Sequence, residues 1–135
     1  MAKLEDVRVP VRLRLAGLWT SLMFCYVYGD YFGLFEHGHL QDMIAGNFGP
    51  LGPTTAGVLV GVSLMMAVPA LMVFGSMVLP AGVARWANIV LGVAYAAIMA
   101  LTMPGAAPFY VVLAVIEIGL SLGTVATAWR WPRHV

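Results

Sequence analysis

The chain has 135 residues, of which 61% are hydrophobic and only 10% charged. A soluble domain carries about 25% charged residues, so this composition cannot cover a water-facing surface and points to lipid as the solvent. The net charge of +1, with no run of Lys and Arg, excludes a phosphate-tracking nucleic-acid binder.

The N-terminal stretch holds Lys3, Arg8, Arg12 and Arg14 ahead of an apolar segment. The arrangement is that of a signal peptide, but no small-residue cleavage site follows. The apolar stretch from Leu13 to Phe35 is also long enough to cross a bilayer, so it reads as a retained first helix. Cys25, the single cysteine, lies within it and is assigned a packing role.

The next segment, Glu36 to Thr54, contains a helical face of Leu40, Met43 and Ile44. It predicts a short helix lying on the outer interface. A Gly/Pro-rich loop follows, from Gly46 to Pro53. The second span is predicted over 55–79, with Pro80 after its end. The third covers 84–103 and is broken by Pro104-Gly105. The fourth covers 107–129, with Pro132 beyond it. The fold predicted for residues 1–135 is therefore a single all-α domain: an integral membrane four-helix bundle.

All seven basic residues fall on one side: the four N-terminal ones, Arg85 in the turn between the second and third spans, and Arg130 and Arg133 after the fourth. The positive-inside rule then places both termini in the cytoplasm. Trp86, Trp129 and Trp131 form an inner aromatic belt, and Phe32, Phe35, Phe109 and Tyr110 an outer one. Small residues four apart (Gly29 and Gly33, Gly57 and Gly61, Gly119 and Gly123) offer faces for close helix packing. They serve either inside the bundle, in a homo-oligomer, or against a subunit of a larger membrane complex.

Two acidic residues lie inside spans, where charge is costly and usually purposeful. At about 1.5 Å per residue, Asp30 lies about 7–8 Å below the outer end of its helix, and Glu117 close to the midplane. No Lys, Arg or His shares the depth of Glu117. Tyr26 and Tyr95 do, and Ser121 and Thr124 continue its helical stripe. Tyr95 is expected to donate its hydroxyl to the Glu117 carboxyl. Asp30 with Tyr28 and Tyr31 is expected to form a concave polar mouth at the outer rim. The ligand- or ion-binding set is thus Glu117, Tyr95, Tyr26, Asp30, Tyr28, Tyr31 and Ser121.

His37 and His39, beside Glu36 and Asp42, are weak candidates for a surface metal site, and no metal is assigned. The third histidine, His134, is placed on the cytoplasmic tail. No span contains histidine, which argues against haem. No phosphate loop, Gly-x-Ser-x-Gly or His-Glu-x-x-His motif occurs. No catalytic residue and no cofactor is assigned, and the protein is expected not to be an enzyme.

The string Leu18-Trp19-Thr20-Ser21-Leu22-Met23-Phe24-Cys25-Tyr26, continuing through Tyr28-Gly29-Asp30-Tyr31-Phe32-Gly33-Leu34, resembles a bacterial family of small four-span membrane proteins of unknown function. The later string Gly49-Pro50-Leu51-Gly52-Pro53-Thr54-Thr55 adds to the likeness. The resemblance implies the fold and a bacterial inner-membrane location, but no activity. The expected role is binding or transport of a small molecule or ion around Glu117. The alternative is a non-catalytic accessory subunit.

Overall fold

A computed structural model of the protein describes residues 2–133. His134 lies outside them. Five α-helices follow in order: α1 (Val11–Gly33), α2 (His39–Ile44), α3 (Ala56–Val78), α4 (Ala81–Thr102) and α5 (Pro108–Trp129). A 3-10 turn, Gly49–Leu51, lies between α2 and α3. No strand occurs among the described residues; one isolated bridge pairs Asn47 with Pro53.

Local chemistry sets the helix ends. The Thr55 side chain caps α3 by accepting the Val58 N–H at 3.1 Å. Leu79 leaves the helix in an extended conformation, and Pro80 stands directly before α4. A proline is tolerated at a helix start, where its missing N–H is not needed. Pro80 therefore ends one helix and begins the next, so Arg85, expected in the turn, sits inside α4. Gly105 turns the chain at φ +77°, a region other residues rarely adopt, and Pro108 opens α5.

Three helices, α3, α4 and α5, are long and apolar enough to cross a membrane. α1 is as long as α3, but Arg12, Arg14, Asp30 and three tyrosines dilute it. Large apolar side chains stand outward along the apolar helices. Leu71 is 68% exposed and Leu101 81%. Such a surface needs lipid around it, and the apolar helices mark a membrane protein.

α5 packs extensively on α4 and on α1, and α1 also packs on α3. α3 and α4 touch only sparsely. The close α4–α5 approach depends on Gly92. A Cβ there would lie 2.7 Å from Val125 Cγ2 and 3.1 Å from the Ser121 carbonyl oxygen. Apolar packing centres on Trp19, Leu22, Tyr26, Met72 and Tyr95.

A buried polar node joins three helices. Asn88 of α4 accepts the Trp19 indole N–H at 2.6 Å. Its amide donates to the Ala84 carbonyl at 2.7 Å and faces Ser76 of α3 at 3.3 Å. All three side chains are fully buried. In a dry interior each bond replaces an orphaned polar group, and an orphan there costs about 1–3 kcal/mol.

Arginines close one end of the molecule. Arg12 donates to the Ser76 and Leu79 carbonyls, satisfying the C-terminus of α3. Arg85 donates to the Trp129 carbonyl at the end of α5. Their guanidinium groups also stack on tryptophan: Arg12 on Trp131, and Arg85 on Trp86 and Trp129, all within 5.3 Å.

Pro69 lies inside α3 and is buried. It has no N–H, so the carbonyl four residues earlier, that of Met65, loses its helical partner. The Tyr95 hydroxyl of α4 donates to that carbonyl. The sparse α3–α4 contact is thus held by a bond that repairs a gap in the helix ladder.

This pairing generates a double-mutant prediction. Tyr95→Phe lowers stability in detergent by about 1–3 kcal/mol by stranding the Met65 carbonyl. In a Pro69→Ala background the restored backbone N–H takes that carbonyl, and the Tyr95→Phe penalty shrinks to less than half. Equal penalties in both backgrounds would refute the account. At the other seam, Gly92→Ala lowers stability by about 1–3 kcal/mol through overpacking, and Val125→Ala restores part of it. The check is the melting temperature of the four combinations.

Candidate functional site

At the end remote from Arg12 and Arg85 the helices enclose a cavity of about 820 Å³. The last turns of α1 and α4 and the first turns of α3 and α5 form its walls. Residues of α2 and the following loop, among them Met43, Asn47 and Phe48, cover its outer side. The loop is held in place by its own backbone: Thr54 N–H donates to the Gly46 carbonyl, and Phe48 N–H to the Gly52 carbonyl, both at 2.7 Å. Gly46 and Gly52 supply the positive φ values that this tight path requires.

Glu117 stands on the inner wall. It is 4% exposed, and its side chain borders the cavity. Helical spacing puts it on the same face of α5 as Ala114, Ser121 and Thr124, all fully buried. The hydroxyls around it are either engaged or orphaned. Thr124 bonds back to the Leu120 carbonyl at 3.0 Å. Tyr110 donates to Thr102 at 2.9 Å. The Tyr26 and Ser121 hydroxyls are buried side by side and make no well-formed hydrogen bond. None of the hydrogen bonds among the described residues reaches the Glu117 carboxyl.

The expected bond from Tyr95 to Glu117 is therefore corrected. Tyr95 lines the cavity, but its hydroxyl is drawn to the Met65 carbonyl that Pro69 leaves unpaired. Its ring packs on Trp19 edge-on at 6.1 Å and on Tyr26 at 6.5 Å. Trp19, fully buried, thus stands beneath the cavity, between it and the Asn88 node.

Of the seven predicted residues, Glu117, Tyr95, Tyr26 and Asp30 border the cavity. Asp30 is exposed at its rim, with His39 and Glu117 as its titratable neighbours. His39 lies across the last turn of α1, its Nε2 about 4.0 Å from where a Gly33 side chain would begin. Ser121 is fully buried one turn below Glu117, outside the cavity lining. Tyr28 and Tyr31 do not join the mouth. The helix turns about 100° per residue, so the face carrying Tyr26, Gly29, Asp30 and Gly33 excludes them. They point outward, 54% and 51% exposed, and pack on Phe32; Tyr31 also meets Phe35.

Among the described residues no three His, Cys, Asp or Glu side chains gather to hold a metal ion. His37 is exposed and does not line the cavity that His39 borders. Sequence reasoning did not single out Pro69 or Asn88, and it placed Glu36 beside the weak metal candidates rather than at the cavity. The signals were present: an interior proline, the one asparagine within a span, and a third carboxylate close to Asp30 in the chain.

No curated protein and no solved structure matches the chain. One family model does, over residues 6–135, and the chain belongs to that family of unknown function, DUF6326.

Proposed function

We propose that this is a non-catalytic four-span protein of the bacterial cytoplasmic membrane that binds a small molecule or ion in the cavity around Glu117. One observation carries the reading. A nearly buried carboxyl with no hydrogen-bond partner among the described residues faces an 820 Å³ space, with the buried Tyr26 hydroxyl, which neighbours Ser121, beside it. Sites for small ligands are typically concave, about 300–1,000 Å³ in volume and mostly apolar, with a few placed polar groups.

The fourth span in this reading is α1. Its 23 residues cover about 34 Å, enough to cross the hydrocarbon core. Its Leu15, Trp19, Leu22 and Tyr26 are buried against the other helices. With four spans, the basic end carrying Arg12 and Arg85 lies in the cytoplasm together with both termini. The cavity then opens toward the outer half of the membrane. Transport would require displacing the Trp19–Asn88 plug that closes the path to the arginine end.

A second reading has one observation in its favour. Gly61 and Gly119 face open space, and Gly57 meets only the side chain of Thr55. These small positions are free to seat another helix, as in a homo-oligomer or an accessory subunit. The mass of the intact assembly in mild detergent separates a homo-oligomer from a complex with a foreign partner.

Topology is tested by labelling. In a Cys25→Ala background, a cysteine at Asn47 reacts with an impermeant thiol reagent in intact cells, and one at Arg133 reacts only after lysis. The reverse pattern removes the orientation. Binding is tested by titrating small organic amines and monovalent metal ions while following tryptophan fluorescence and melting temperature. Wild type responds to at least one of them. Glu117→Gln keeps its melting temperature, because the amide has nearly the size and shape of the carboxyl, and loses at least tenfold in affinity, about 1.4 kcal/mol. An identical response in both proteins defeats the reading.

A further inference from the structure

We propose that the cavity takes a single-chain amphiphile with a cationic head, admitted from the bilayer through the seam between α3 and α4. This rests on the binding reading above and names its ligand class and route.

The route follows from which seams are closed. α4 and α5 meet at the Gly92 crossing, and α1 packs broadly on both α5 and α3. α3 and α4 leave a common joint at Leu79-Pro80 yet touch only sparsely. Near the joint, Ser76 and Asn88 tie them together; further on, Tyr95 and the Met65 carbonyl do. Beyond that second tie, Leu59, Val62 and Met66 of α3 and Ile98, Met99 and Thr102 of α4 border the cavity. This wall belongs to two membrane-crossing helices, so its outer side meets lipid. α2 and the loop after it cover the aqueous side.

The head group follows from charge. Asp30, Glu36 and Glu117 border the cavity against a single His39, and no Lys or Arg joins them. Glu117 and Tyr26 are each more than nine-tenths buried, and the Tyr26 hydroxyl, beside Ser121, makes no well-formed hydrogen bond. The Tyr26 and Tyr95 rings add π faces that attract a cation. An organic ammonium fits this setting. A bare metal ion does not, because no three ligating side chains converge among the described residues and the walls are mainly apolar. The tail follows from the seam, where Met65, Met66 and Met99 offer flexible side chains that repack around an acyl chain.

The test uses wild-type protein in phosphatidylcholine nanodiscs, with empty nanodiscs as background. The probes are radiolabelled dodecyltrimethylammonium, tetramethylammonium and dodecyl sulfate. Dodecyltrimethylammonium is expected to bind saturably, at least tenfold tighter than tetramethylammonium, with no saturable binding of dodecyl sulfate. Glu117→Gln and Asp30→Asn each weaken it at least fivefold. Val62→Trp or Met99→Trp, which fill the seam, slow its association at least fivefold. Melting temperatures confirm folding, and the rim and seam variants stand in should Glu117→Gln fail to fold. Equal, Glu117-dependent binding of tetramethylammonium overturns this proposal and leaves the binding reading intact. Binding of dodecyl sulfate as tight as that of the cation, or association unaffected by both seam variants, also overturns it. No binding of any probe overturns it as well, and the amine and ion titration above then decides separately whether the cavity binds anything.

Discussion

Inside a lipid-facing protein a polar atom has no water to turn to, and this constraint orders the structure. At the arginine end and through the middle, the groups that lack a helical partner are supplied with one. Arg12 and Arg85 take the terminal carbonyls of α3 and α5. Asn88 gathers Trp19 and Ser76. Tyr95 takes the one carbonyl that Pro69 sets free. Among the described residues the accounting falls short at the Arg85 Nε and, around and just below the cavity, at the Tyr26 and Ser121 hydroxyls and the Glu117 carboxyl. The gathering of underpaired oxygens on one cavity wall is what gives the pocket chemical meaning.

The same constraint explains the uneven helix packing. Where Gly92 lets two backbones approach, α4 and α5 form a close pair. Where Pro69 interrupts the ladder, α3 needs a donor from outside, and a single tyrosine hydroxyl supplies it. One hydrogen bond holds helices less firmly than a continuous interface. α3 and α4 therefore separate toward the far end, and the cavity occupies the gap. An interior proline thus leads, through one carbonyl and one hydroxyl, to the shape of the site.

Much of this architecture was legible in the sequence. Apolar runs of membrane length, bounded by Pro53, Pro80, Pro104-Gly105 and Pro132, lie over the long helices, and the Leu40–Ile44 face lies on α2. Counting residues from each helix end put Tyr26, Tyr95 and Glu117 at one depth, and all three border one cavity. Depth along a helix follows from a fixed rise, so sequence carries it well. Direction around the helix and the choice of hydrogen-bond partner carry over less well. Tyr28 and Tyr31 are near Asp30 in sequence but on another face. Tyr95 has two acceptors within its layer, and the choice depends on Pro69 in a different helix. The glycine spacing favoured regular pairs, whereas the tightest crossing uses the isolated Gly92, because a helix contact is set by its partner's surface.

The Asn88 node also bears on how the chain is made. Trp19 and Ser76 leave the ribosome before Asn88, so the polar atom of each is made before its partner. α4 and α5, joined by a short uncharged turn and closely packed on each other, are suited to insert together as a hairpin. Their arrival delivers Asn88 to both waiting groups at once and completes the pairing in one step. A chain truncated before α4 would expose an unsatisfied indole and hydroxyl within the bilayer, a mark by which membrane quality control could distinguish unfinished protein from finished.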